Sequence, residues 1–98
     1  MFAKETRFMR TPVQHIVHSV AHHRNVSIKD LFGRKRQSNI SNARFEIWWR
    51  LRQLDKERYS FPMIARMFGR NHSTIIYGVR RHELKNSEQP EQSPRLSA

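Results

Sequence analysis

Four polar side chains in a row, Asn71, His72, Ser73 and Thr74, follow Gly69-Arg70 and precede the apolar residues Ile75, Ile76 and Val79. Side chains of these types do hydrogen-bond chemistry on base edges and phosphates. The carboxamide of Asn sets a donor beside an acceptor, the pattern that pairs with adenine in the major groove. Ser and Thr hydroxyls bond a base edge or a phosphate oxygen, and their carbon atoms meet a thymine methyl. Free N–H groups at a helix start add a preference for phosphate. One such residue is enough to cap a helix, so a quartet exceeds what capping requires. Catalysis finds little here. Ser73 and His72 are neighbours on a helix and point about 100° apart, and Glu46, Asp55 and Glu57 form no acid–base pair but belong to solvated helix faces. No enzyme and no cofactor are expected.

The quartet needs a helix to present it and a second helix to hold that one in place. The presenting helix is predicted from about His72 to Lys85, with Ile75, Ile76 and Val79 as its buried side. Before it, Ser60 caps a short helix with Pro62 in its first turn, apolar residues Ile64, Ala65, Met67 and Phe68, and Gly69 as its stop. A short apolar helix, a glycine turn and a helix that opens on polar residues outline a helix-turn-helix. Upstream, Thr11-Pro12 starts a helix to about Arg24 with Val13, Ile16, Val17 and Val20 on one face. Ser27 caps a second, with Asp30 at its positive end and Gly33 after it. The run Arg34-Lys35-Arg36-Gln37-Ser38-Asn39 reads as a basic polar loop. Ile40, Ala43, Ile47, Leu51 and Leu54 step by three or four and predict a central helix ending near Glu57, with Trp48 in the core and Arg44, Glu46, Arg50 and Arg52 mostly off the stripe. Phe61 and Phe68 are most simply core. No strand alternation and no internal repeat appear. The expectation is an all-α domain of five helices over residues 11–86, a basic arm at 1–10 and a disordered, Pro-, Ser- and Gln-rich tail at 87–98.

Composition narrows the partner. Nineteen Lys and Arg stand against eight Asp and Glu in 98 residues, a formal charge of +11, beyond the ~2–8 common for small domains. Such a field favours polyanions: DNA, RNA or an anionic membrane surface. No cysteine is present, which excludes disulfides and thiolate zinc sites. No apolar run approaches a membrane span, and MFAKETRFMR carries charges where a signal peptide needs an apolar stretch. A cytoplasmic, nucleoid-associated protein of a bacterium or phage is expected. His18 and His22, four apart with His15 and His23 nearby, have a metal-compatible spacing. No carboxylate or cysteine joins them, so they read as surface groups and no metal is expected. Trp49 points away from the stripe, against the first helix or toward a partner. No heptad signals a dimer, so a monomer is expected.

Three stretches carry a resemblance: VSIKDLFGRKRQSNISNAR, YSFPMIARMFG and GRNHSTIIYGVRR. From about Ile16 to Glu83 the chain resembles the C-terminal DNA-binding domain of the bacterial replication initiator DnaA, which implies a TrpR-like, DnaA C-terminal type of helix-turn-helix. The third stretch is similar to that family's GRDHTTV signature. The resemblance implies base contacts by His72, through thymine methyls, by Ser73 and by Pro62, to which the polar pattern adds Asn71. It implies backbone or minor-groove contacts by the basic loop, Arg34, Lys35, Arg36, Ser38 and Asn39, and by Arg44, with Thr74 near a phosphate; charge and position add Arg66, Arg70 and Arg80. Three features depart from the family, one of them its turn's glycine pair, reduced here to Gly69 alone. Its Asp before the His is Asn71 here, which donates as well as accepts, and its minor-groove Arg counts to Ser38, leaving Arg36 as the nearest substitute. With no Walker motif, the expected function is that of a free-standing reader of specific double-stranded DNA that regulates transcription or replication. The alternative is a protein-interaction or non-specific nucleic-acid or RNA-binding adaptor, with a protein partner at Trp49 or the tail. Neither a small-molecule substrate nor a membrane is expected.

Overall fold

Three of the five described helices begin where the sequence supplies a hydroxyl acceptor. Thr11 accepts from the Gln14 N–H at 3.3 Å, Ser27 from Asp30 at 3.1 Å and Ser60 from Met63 at 3.2 Å, each satisfying one of the free donors of a first turn. The computed structural model describes residues 11–88. It forms α1 (Pro12–Arg24), α2 (Ile28–Phe32), α3 (Ser38–Leu54), α4 (Phe61–Phe68) and α5 (His72–Glu88). The described residues contain no strand, so the all-α, five-helix expectation holds. The expected arm at 1–10 and residues 89–98 of the tail expected at 87–98 lie outside the described residues, and residues 87–88 continue α5 as helix.

The central helix is α3. It packs against α1, α2 and α5, and α4 is carried on α5. Ile40, Ala43, Ile47, Trp48 and Leu51 are all nearly fully buried. Around them close Val17 and Val20 from α1, Leu31 from α2, Ile64 and Phe68 from α4, and Ile75 and Val79 from α5. Trp48 meets Phe68 edge-to-face at 5.9 Å. At Gly78 α5 lies directly against α3. A Cβ there would lie 2.6 Å from Phe45 Cδ1 and 2.7 Å from Trp48 Cε3, so the two helices meet over a missing side chain.

Several expectations shift. Ser38 and Asn39 belong to the first turn of α3 rather than to the loop, and α3 stops at Leu54. Asp55 ends it: its Oδ1 accepts from the N–H groups of Glu57 and Arg58, a local turn that competes with helix continuation. Leu54, placed on the apolar stripe, is the last residue of α3 and is 54% exposed. Phe61 is only half-buried, with the Arg52 guanidinium 4.0 Å from its ring centre. Ile76 is half-buried while its neighbour Ile75 is fully enclosed. The largest correction concerns Arg44 and Glu46, which are buried instead of solvated.

Glu46 is enclosed because cations compensate it. Arg24 Nε donates to Oε1 at 2.6 Å, and Arg50 reaches Oε2 at 2.9 Å, so one carboxylate ties α1 to α3. Burial alone would raise its pKa. The hydrogen bond from Arg24 and the charges of Arg24, Arg50 and His82 outweigh that and hold it below the ordinary value.

Candidate nucleic-acid interface

The site is built from the end of α4 and the start of α5. Gly69 adopts φ 66° and ψ 38°, the left-handed conformation that glycine takes without steric cost. The Arg70 N–H then returns to the Ala65 carbonyl at 2.9 Å, the Schellman closure of a helix. Two residues later α5 begins. The turn is short, so α4 and α5 have the helix-turn-helix connection the sequence outlined.

The polar quartet divides its labour. Asn71 caps α5: its Oδ1 accepts from the Thr74 N–H at 3.1 Å and from the Thr74 hydroxyl at 3.0 Å. Both lone pairs of that oxygen are occupied, so the two-bond pairing with adenine expected of Asn71 does not fit this geometry; Nδ2 remains as a donor. Thr74 is half-buried, and its hydroxyl proton is committed to Asn71. His72 and Ser73 stand exposed on the first turn. Capping thus accounts for Asn71 and part of Thr74, and leaves His72 and Ser73 as the outward-facing pair.

The basic loop is brought to the same place by an arginine that sequence reasoning put on the surface. Arg44 is 6% exposed. Its Nε donates to the Leu31 carbonyl at 2.9 Å, and its Nη2 to the carbonyls of Asp30 at 2.9 Å and Gly33 at 3.0 Å. These are the open carbonyls at the end of α2, where a cation is favoured. Arg70 Nη2 donates to the same Gly33 oxygen at 2.8 Å. Two guanidiniums on one carbonyl therefore pin the helix-turn-helix turn to the root of the Arg34–Gln37 loop. Arg44 acts here as a positioning residue, not as an exposed backbone contact. The only sequence signal for this was its place beside Ala43, one residue from the stripe.

Arg34, Arg36, Arg70 and Thr74 then share one cleft of about 470 Å³, with Tyr77 and Phe45 on its wall. The cations crowd each other. Burial lowers the pKa of Arg44, and Arg70 adds to this while Asp30 opposes it. Arg70 is lowered by burial and by Arg34. Among the described residues the ion pairs are Arg24–Glu46, Arg50–Glu46 and Lys35–Asp30. Arg34, Arg36 and Arg70 thus have no carboxylate partner there, and an incoming phosphate would relieve their mutual repulsion. Lys35 is the exception in the loop, 3.5 Å from Asp30. Ser38 and Asn39 are exposed at the start of α3. Pro62 and Arg66 on α4, and Asn71, His72, Ser73 and Arg80 at and along α5, are exposed but do not line this cleft.

Trp49 is half-buried, its ring 5.0 Å from that of His82. His15, His18, His22 and His23 are exposed along α1, and no group of three metal-binding side chains occurs among the described residues. No described helix is long and apolar enough to cross a membrane.

Residues 13–81 match the family model described as the bacterial dnaA protein helix-turn-helix. The chromosomal replication initiator protein DnaA of Tropheryma whipplei is 41% identical over 66 residues, which cover 67% of this chain and 13% of that protein. Its counterpart in Cereibacter sphaeroides is 36% identical over 75 residues, 76% of this chain and 16% of that one. That of Herminiimonas arsenicoxydans is 30% identical over 80 residues, 81% and 17% respectively. The chain therefore spans a small part of the length of the relatives it matches. No solved structure matches it.

Proposed function

This chain belongs to the bacterial DnaA helix-turn-helix family, and from that premise we propose that it binds double-stranded DNA in a sequence-specific manner and regulates transcription or replication. The first turn of α5 enters the major groove. His72 and Ser73 meet base edges, with Asn71 adding a donor from Nδ2 and Pro62 approaching from α4. Arg34, Arg36 and Arg70 hold phosphates or reach the minor groove, helped by Lys35, Ser38 and Asn39, while Thr74, expected near a phosphate, spends its donors on the Asn71 cap; Arg66 and Arg80 extend the cationic surface. Arg44 contributes by fixing the loop. The relatives' role as chromosomal replication initiators supports a setting at or near initiator-type sites.

The observation that carries this reading is the shared cleft. Three guanidiniums without carboxylate partners and Thr74 from the first turn of α5 line one space, and Arg44 and Arg70 meet at the Gly33 carbonyl beside it. Phosphate contacts give affinity and register, while base contacts give specificity. The two groups of residues should therefore fail differently.

Selecting duplex sites from random sequence and then measuring variants tests this. H72A and S73A are expected to lose about 1–3 kcal/mol of preference for the selected site per good contact, with non-specific affinity retained. R34Q and R36Q are expected to weaken binding to every duplex and to lower the salt slope by about one per lost phosphate contact. No selectable site, or an unchanged preference in H72A and S73A, contradicts the reading.

A further inference from the structure

The basic cleft is accompanied by a second opening along α3 and α5, of about 240 Å³, bounded by Arg24, Asn42, His82 and Lys85. Phe45 lines both openings. Thr74 marks one and Lys85 the other, eleven positions apart on α5, or about 16 Å along a helix. The second opening is cationic. Glu46 is shared by Arg24 and Arg50, and Lys85 Nζ is bonded to the neutral Asn42 Oδ1 at 3.1 Å.

Tyr77, which lies between Thr74 and Lys85 along α5 and lines the basic cleft, is 60% exposed. Its ring meets Phe45 at 5.9 Å with planes 84° apart. In an edge-to-face pair at least one face of Tyr77 is left uncovered by Phe45. An open aromatic face between two clusters of cations is how proteins hold unpaired nucleic acid: the cations track the backbone and the ring stacks on a base. Duplex DNA cannot use that ring face, because its bases are already stacked on each other.

We propose that the groove along α3 and α5 is a binding track for single-stranded DNA, with backbone phosphates on the Arg34–Arg70 and Arg24–Lys85 clusters and a base stacked on Tyr77. This rests on the reading of the basic cleft as a phosphate-binding surface. Since duplex and single strand share the Arg34–Arg70 end, they compete for the protein.

Fluorescence anisotropy at low salt tests it, with a labelled oligothymidylate of about eight nucleotides and, in parallel, a selected duplex. The wild type is expected to bind both, and each to displace the other. Y77A should lose about tenfold in oligothymidylate affinity, while Y77F, which keeps the ring, stays within about twofold. K85Q should weaken oligothymidylate binding about threefold with a smaller salt slope, and leave duplex affinity within about twofold. Failure of the wild type to bind oligothymidylate, equal binding by Y77A, or equal losses on strand and duplex in K85Q would overturn the proposal. Loss of duplex binding alone would count against the duplex-reading function and leave the single-strand track standing.

Discussion

Asn71 shows how one side chain answers two demands. As the cap of α5 it offers Oδ1 to Thr74, and only Nδ2 is left for a ligand. N71A is expected to lower stability by about 0.5–2 kcal/mol, read as a lower urea midpoint with unchanged slope. N71D keeps the acceptor and adds charge favourable at a helix start, so it should match or exceed the wild-type midpoint. Because Asp donates nothing, N71D should nevertheless change the selected DNA site. A fall in stability for N71D as large as that for N71A would contradict the capping assignment. The quartet was legible in the sequence because four adjacent polar residues stand out against an apolar helix. Its division into one cap, one half-buried hydroxyl and two outward side chains was not, because that depends on rotamers and on where the helix begins. Arg44 was illegible for a related reason. An arginine buried on carbonyls and one facing solvent have the same helical position until the end of α2 is placed beside it.

The elements were easier to read than their contacts. Hydroxyl caps, Pro12, Pro62 and Gly69 marked the ends of α1, α2 and α4 because local chemistry decides them. The end of α3 escaped, since Asp55 continues the polar pattern while its carboxylate closes a turn. Gly78 escaped as well, because a glycine inside a helix says nothing of what lies opposite. Helix propensity favours G78A by up to about 1 kcal/mol. Against this, the new Cβ meets rigid rings of Phe45 and Trp48 at 2.6–2.8 Å, and overpacking of that kind costs about 1–3 kcal/mol. The net expectation is a lower melting temperature and weaker DNA binding as α5 moves off α3. A G78A protein as stable as the wild type would contradict the packing described here.

For the whole molecule, charge and acidity make predictions of their own. His82 is held below its ordinary pKa by burial and by the charges of Arg24, Arg50 and Lys85, against the pull of Glu46. Below about pH 6.5 the unfolded chain binds a proton that the folded chain resists, so stability should fall as pH drops through that range. Glu46, held low by its arginines, contributes stability above its unfolded pKa that disappears as pH falls through its folded value. Thermal melts from pH 7 to pH 3 should therefore show two successive losses, and H82Q should remove the first alone. The net charge of +11 was visible in composition; the gathering of Arg34, Arg36 and Arg70 beside Thr74 of α5 needed the fold. That juxtaposition is the centre of the account. The most direct measurement is a ¹⁵N–¹H NMR titration of the protein with a selected duplex. The account predicts the largest shifts at His72 and Ser73, at Arg34 to Arg36 and at Arg70, with little change at His15, His18 and His22 on α1. Shifts concentrated on α1, with the start of α5 and the basic loop unmoved, would contradict it.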